Sequence, residues 1–326
     1  MESKPILYIV VPCYNEEEVI EWSVGQLDNK LNQLISDDIV NEKSKLLFVN
    51  DGSADRTAEM LTAFSKENDK ICLINFLKNE GHQSAILAGM LTAGEYADIV
   101  ITIDADLQQD IDAMESFIEE YKKGNEVVYG VRNDRKTDGF FKKFTAKFFY
   151  RLMKMMGSKT IPNSADYRLM SKKAIKALSM YQETNLFLRG LIPMMGFKSS
   201  IVYFDVKERT AGKSKYTFKK MMSLAMNGIT SFSITPIRMI SFFGVIFIII
   251  SIAIIIYSVV CFCLDKNVPG YTTEVVSQWF IGGALMFSMG ILGEYIGKIY
   301  SETKKRPRYI IDTAILPEKE EKEEDT

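Results

Sequence analysis

The chain is short of histidine, cysteine and tryptophan, and it has no surplus of positive charge. Its 326 residues carry 40 lysines and arginines against 42 acidic residues, a formal net charge of −2. A general nucleic-acid binder carries a basic excess, so that class is excluded and no nucleic-acid partner is expected. The four cysteines make no framework. Cys13 and Cys72 lie in apolar strand-like runs, and Cys261 and Cys263 in a membrane-like one. Reduced, buried thiols on the cytoplasmic side fit this better than disulfides. The start, Met1-Glu-Ser-Lys-Pro5, enters a strand-like run without a basic region, apolar core and cleavage site. No signal peptide is expected.

Charge is also missing locally. Met239 to Leu264 contains no charged residue. At about 1.5 Å per residue such a run crosses a hydrocarbon core of about 30 Å. A second uncharged run spans Val275 to Leu292, with Trp279 near one end. Its Gly282-Gly283, Gly290 and Gly293 permit close helix–helix contact and therefore a homo-oligomer. Lys213, Lys215, Lys219, Lys220 and Arg238 precede the first run; Lys298, Lys304, Lys305, Arg306 and Arg308 follow the second. The loop between them has Lys266 as its cation beside Asp265 and Glu274. Positive charge stays inside, so both termini face the cytoplasm in a two-span topology at the cell membrane.

Up to about residue 135, β-rich apolar runs alternate with helical spacing. Ile6–Val11, Leu46–Val49, Ile71–Phe76, Ile99–Ile103 and Val127–Tyr129 read as strands covered on both faces. Glu16–Leu34, Thr57–Lys66, Gln83–Ala93 and Ile111–Lys122 read as helices. The alternation predicts an α/β domain with a mainly parallel sheet and right-handed crossovers. Phe140 to Met156 has helical spacing with interleaved Lys142, Lys143, Lys147 and Arg151, which suits a core helix or a membrane-surface helix. Phe218–Ile234 is similar and leads into the first apolar run, which favours the interface. The acidic stretch from Glu318 is read as disordered.

Polar turns end three of the strand-like runs. Val11-Pro-Cys-Tyr-Asn-Glu-Glu17 can present backbone N–H groups to a ligand, or simply cap the following helix. In Val49-Asn-Asp-Gly-Ser53, Gly52 lets the chain turn and Asp51 can accept from a nucleobase N–H. Asp104-Ala-Asp106 follows the strand-like run ending at Ile103. Two carboxylates one residue apart at a strand end suit a hard divalent cation such as Mg²⁺ or Mn²⁺ that also holds substrate phosphates. A solvated turn is the plainer alternative for that pair taken alone.

Together these turns resemble the family 2 glycosyltransferases of GT-A fold. The likeness continues through Asn79-Glu-Gly-His-Gln-Ser-Ala85, Tyr129-Gly-Val-Arg132, Asp166-Tyr-Arg-Leu-Met170, Phe187-Leu-Arg-Gly190 and Glu208-Arg-Thr-Ala-Gly-Lys-Ser-Lys-Tyr216. With two spans after them, the chain is similar to polyprenyl-phosphate glycosyltransferases, relatives of dolichol-phosphate mannose synthase. The resemblance implies a catalytic domain over 1–217, an interfacial helix over 218–236, a two-helix membrane hairpin over 237–297 and a cytoplasmic tail over 298–326. It implies that Pro12, Tyr14, Asn15, Glu16, Asp51, Gly52, Ser53, Gly81 and Ala105 line the nucleotide sugar. Asp104 and Asp106 bind the metal at the diphosphate, and Gln108 lies close to the sugar or acceptor phosphate. Arg132, Ser214, Lys215 and Tyr216 meet the lipid phosphate, while Arg209 and Lys215 close over phosphates. Asp166 is open between a general base and an orienting role. His82, the single histidine, sits at a helix start and suits a structural or substrate-lining place.

Two departures stand out. The family's Asp-Asp-Gly-Ser reads Asn50-Asp51-Gly52-Ser53, and its Asp-Leu-Gln-Asp-Pro-Pro reads Asp106-Leu-Gln-Gln-Asp-Ile111. The implied reaction is transfer of a sugar, with UDP-glucose as the expected donor, to undecaprenyl phosphate. GDP-mannose or a modified sugar is the alternative donor. A processive polysaccharide synthase would need more spans and a Gln-x-x-Arg-Trp segment, whereas Phe187-Leu-Arg-Gly190 has no Trp. A catalytically silent membrane scaffold would not need Asp104, Asp106, Arg132, Arg209 and Lys215 together. Another lipid acceptor, such as diacylglycerol, stays open.

Overall fold

The computed structural model describes residues 4–133, 161, 163–183, 187–205, isolated positions between 237 and 264, and 271–318. The described residues before 206 and those from 307 to 318 form one compact unit. Its elements alternate from the first: β1 (Leu7–Cys13), α1 (Ile20–Ser36), β2 (Lys45–Asn50), α2 (Thr57–Glu67), β3 (Ile71–Phe76), α3 (His82–Tyr96), β4 (Ile99–Thr102), α4 (Ala113–Lys122) and β5 (Val127–Arg132). Then follow β6 (Ser164–Ser171), α5 (Lys172–Leu178), α6 (Leu188–Met194), β7 (Ser199–Phe204) and, from the far end of the chain, β8 (Ile311–Ile315).

One eight-stranded sheet results, in the order β7-β5-β6-β4-β1-β2-β3-β8. β4, β1, β2 and β3 run parallel, as the near-continuous apolar runs predict. Alternate residues of these strands feed opposite layers. Leu7, Ile9 and Val11 pack with Leu27, Leu31 and Phe117, whereas Tyr8 and Val10 pack with Ala85, Ala88 and Met90. Each fully buried aliphatic or aromatic side chain stabilises the fold by about 1.5–3 kcal/mol, which is why both faces of the sheet are covered. α3 comes close to the sheet at Gly89, where a Cβ would meet Val10 Cγ1 at 2.3 Å.

Two strands depart from the parallel pattern. β6 inserts antiparallel between β4 and β5, and β8 lies antiparallel on the outer edge of β3. β8 carries an exposed, mixed sequence, so no periodic apolar signal marks it as a strand. Residues 311–315, within the stretch read from sequence only as tail, thus complete the sheet.

The second unit contains α7 (Tyr271–Thr303). Within it Phe280–Thr303, 24 residues, is long and apolar enough to cross a membrane, and none of it is buried. The helix begins before the uncharged stretch Val275–Leu292 and runs on past it, where Glu294, Lys298 and Glu302 are good helix formers. Half of the first uncharged run, and all of the expected helices over 140–156 and 218–234, lie outside the described residues. Among the described residues one membrane-length helix is present, not the expected two.

Candidate functional site

The parallel strands β1, β2 and β4 deliver their polar turns to one edge of the sheet, where ligands bind in open α/β folds. The first two turns are tied to each other by short bonds. Asn15, at φ 52°, donates its N–H to Ser53 Oγ at 2.9 Å, and Ala54 N donates to Asn15 Oδ1 at 2.8 Å. Glu16 N donates to Thr57 Oγ1 at 2.9 Å. Pro12 is buried at the end of β1, while Tyr14 is exposed and able to face a ligand. Gly52 adopts φ +60°, and a Cβ there would lie 2.4 Å from the Lys78 carbonyl carbon, so this turn requires glycine.

Asp51 is buried and serves the protein itself. Its Oδ1 accepts from Glu80 N at 2.7 Å, and its Oδ2 accepts from Gly81 N at 3.0 Å and Asn79 Nδ2 at 3.1 Å. Burial raises its pKa, with the N–H groups of Glu80 and Gly81 opposing the rise. Three of its roughly four acceptor positions are thus occupied by the loop that opens α3, leaving little for a nucleobase. Gly81, at φ +93°, begins that helix.

The turn after β4 alternates. Ala105 and Leu107 are buried, which points Asp104, Asp106 and Gln108 toward the sheet edge. Leu107 is held at φ 44°, a conformation costing about 1–2 kcal/mol that its burial offsets. Ser23 Oγ donates to the Ala105 carbonyl at 2.6 Å, and Gln108 N donates to Asp106 Oδ1 at 3.3 Å. Gln109 explains one departure from the family pattern. It is buried, and its Nε2 donates to Asp104 Oδ2 at 2.5 Å, so a neutral amide orients Asp104. Asp104 Oδ1 is buried and has no hydrogen-bond partner among the described residues. Two carboxylates, one with an unsatisfied inward oxygen, fit a divalent cation that takes its other ligands from a diphosphate. Among the described residues no cluster of three or more acidic, cysteine or histidine side chains stands ready as a complete cage.

Beside this pair lies a charged cluster that sequence spacing does not bring together. His82, on the first turn of α3, places Nε2 3.5 Å from Asp104 Oδ1 and 3.6 Å from Asp166 Oδ2. Asp166 is buried on β6. It accepts from Arg168 Nη2 at 2.6 Å, from Arg189 Nε at 3.1 Å and Nη2 at 2.8 Å, and from Gln83 Nε2 at 3.3 Å. Burial alone would raise its pKa; Arg189, His82 and Arg168 instead hold it well below the ordinary carboxylate range. A carboxylate so stabilised is a weak proton acceptor, and its geometry suits orienting cations. For His82, burial opposes protonation, but Asp166 and Asp104 win and raise its pKa. Arg168 is buried, and its Nε and Nη1 have no partner among the described residues.

Gln83, Gln109, Arg168 and Arg189 stand in or beside this cluster without a role assigned from sequence, and His82, expected in a structural or substrate-lining place, joins them. Their signal was present in the segments Gly81-His-Gln83, Asp106-Leu-Gln-Gln109, Asp166-Tyr-Arg168 and Leu188-Arg-Gly190. Arg132 ends β5 with an exposed side chain, and its N–H donates to the Asn163 carbonyl at 3.4 Å. Arg209, Ser214, Lys215 and Tyr216 lie outside the described residues.

Comparison with known proteins matches the sequence profile of glycosyl transferase family 2 to residues 8–179. An uncharacterized glycosyltransferase of Bacillus subtilis (strain 168), YkoT, is 48% identical over 317 residues, 97% of this chain and 94% of the relative. The bactoprenol glucosyl transferase of Shigella phage SfX is 36% identical over 306 residues, 93% of this chain and 97% of the relative. A crystal structure of glucosyl-3-phosphoglycerate synthase from Mycobacterium tuberculosis aligns at 17% identity and TM-score 0.45, over 70% of this chain and 79% of that one.

Proposed function

The chain belongs to glycosyl transferase family 2, and from that premise we propose that it transfers glucose from UDP-glucose to undecaprenyl phosphate at the cytoplasmic face of the cell membrane. The product would be a polyprenyl-phosphate sugar for glycosylation of the cell envelope. The observation that carries this reading is Asp104 Oδ1, a buried acceptor that takes no hydrogen bond among the described residues and has only His82 Nε2 at 3.5 Å, beside Asp106 at the strand edge. The relatives named as bactoprenol glucosyl transferases, similar along nearly their whole length, support the lipid acceptor and the sugar.

Asp104 and Asp106 would hold Mg²⁺ or Mn²⁺, which when bound neutralises the charge that builds on the departing nucleotide diphosphate. The turns after β1 and β2 would enclose the nucleotide, with Tyr14, Asn15, Glu16 and Ser53 as its lining. A phosphate monoester, with a second pKa of about 6, is largely dianionic at neutral pH and attacks without a general base. Its need is for orientation by cations, which Arg132 and the segment carrying Arg209, Ser214, Lys215 and Tyr216 would supply. Attack from the face opposite the leaving group inverts the anomeric carbon. Two spans, one of them within α7, would keep the site at the height of the lipid phosphate, with both termini cytoplasmic.

The test uses membranes containing the full chain, undecaprenyl phosphate and a panel of labelled nucleotide sugars with Mg²⁺ or Mn²⁺. Label from UDP-glucose should enter the lipid and vanish with chelator. Label from GDP-mannose instead would replace the donor, and label from no donor would sink the reading.

A further inference from the structure

β8 runs antiparallel beside β3 with Thr313 opposite Asn75, and β3 runs parallel beside β2 with Asn75 opposite Asn50. Three polar side chains therefore stand in one row across the sheet, at the end from which the β2 turn departs. They are bonded in sequence. Asn75 Nδ2 donates to Thr313 Oγ1 at 2.9 Å, and Asn50 Nδ2 donates to Asn75 Oδ1 at 3.0 Å. The row continues into the turns: Ser53 N donates to Asn50 Oδ1 at 3.2 Å, and Asn15 N donates to Ser53 Oγ at 2.9 Å.

A carboxamide has an oxygen with two accepting positions and a nitrogen with two donating ones on nearly the same shape, so its partners decide which way it faces. Ser53 N can only donate, so it takes the Asn50 oxygen and leaves the Asn50 nitrogen for the Asn75 oxygen; the Asn75 nitrogen is then left to donate to Thr313 Oγ1, which holds it to β8. β8 is well fixed for this role. Tyr309 stacks on Phe76 with ring centroids 5.1 Å apart and 3° between planes, Leu77 N donates to the Ile310 carbonyl at 3.1 Å, and Arg308 Nη2 donates to the Tyr181 carbonyl.

We propose that Thr313 is a positioning residue for the nucleotide pocket, setting through Asn75 and Asn50 the turn that carries Ser53 and holds Asn15. The inference rests on the proposed function only in naming the pocket's ligand. The strand that follows the apolar helix in the chain is then part of the donor site. In this arrangement Asn50 donates to Asn75 while accepting from Ser53, a pair of roles that an ionised carboxylate cannot fill.

The test keeps the full chain in detergent and compares Thr313→Val, which removes the hydroxyl at equal shape, with Thr313→Ser, which keeps it. Amide hydrogen exchange is read over residues 50–57 and, as a reference, 104–110. Losing one exposed hydrogen bond should speed exchange over 50–57 about threefold in the valine variant, with the reference unchanged and the serine variant like wild type. The apparent KM for the nucleotide sugar should rise by a similar factor at constant kcat. Unchanged exchange over 50–57 overturns the proposal, as does equal acceleration in both segments. If wild type transfers no sugar from any donor, the proposed function falls while the exchange comparison still decides this one.

Discussion

The two halves of the site are built from different forces. At the ends of β1 and β2, backbone N–H groups donating to amide and hydroxyl oxygens and to the partly exposed carboxylates of Asp55 and Glu17 hold the turns. The buried carboxylate of Asp51 accepts three bonds from the loop after β3, and this half is neutral in that no buried ion pair is among these contacts. At the ends of β4 and β6, charges face charges: Asp104, His82, Asp166, Arg168 and Arg189 form one cluster. In the proposed function, a flat base and ribose would be matched by fixed hydrogen-bonding turns. A diphosphate that gains charge on leaving would be matched by charged groups fixed in advance. The neutral half should therefore respond to backbone strain, and the charged half to pairing and pH.

Breaking the charged half at its proposed metal ligand should have the largest effect. Asp106→Ala is expected to cut sugar transfer by about 10²-fold or more while leaving the unfolding midpoint in place. Activity within a few fold of wild type would erase the proposed difference between the halves.

Asp166→Asn strikes the same half through stability, since it leaves Arg168 buried without its carboxylate. A loss of about 3–5 kcal/mol is expected in urea unfolding. The pH dependence has a definite sign. Asp166 is held below its unfolded value of about 3.9, so its contribution is fully present above that pH and is lost as pH falls through the lower folded value. Wild-type stability should fall on acidification below about pH 4, and a variant with asparagine at 166 should lack that part of the slope.

Gly52→Ala sharpens the comparison from the neutral side. The residue has φ +60° and no room for a Cβ, so a cost of about 1–3 kcal/mol is expected. Calorimetry should show weaker binding of the nucleotide, with the Asp166-dependent pH slope intact. Loss of that slope in the alanine variant would mean that the halves are one unit.

The smallest effect should come from His82→Asn. Its imidazole is half exposed and joins Asp104 to Asp166 at 3.5 and 3.6 Å, distances of loose ion pairs. A drop of about fivefold in kcat at unchanged donor KM is expected. A change in donor KM alone would move His82 into the neutral half.

Much of the fold was legible because β1 to β5 and α1 to α4 are local. Runs such as Ile71–Phe76 and Thr57–Glu67 carry their period and their end signals within themselves. β8 was not legible, since its five exposed residues gain a place only from the edge of β3. The strand-end turns could be recognised by residue type, yet Asp51 was read as facing a base, while it binds the loop after β3. Nothing in Asn50-Asp51-Gly52 reveals that the N–H groups of Glu80 and Gly81 reach it from 29 and 30 residues away.

The sequence by itself determined the family, the alternating α/β order, the acidic pair at 104 and 106, and an apolar helix in its last quarter. Those properties follow from composition and short-range pattern. Only the tertiary structure decided that Asp166 is clamped by two guanidiniums, that Gln109 orients Asp104 and that Thr313 stands in line with Asn50. Each depends on which strands become neighbours, a long-range pairing that fixes distance and dielectric together and that local spacing does not record.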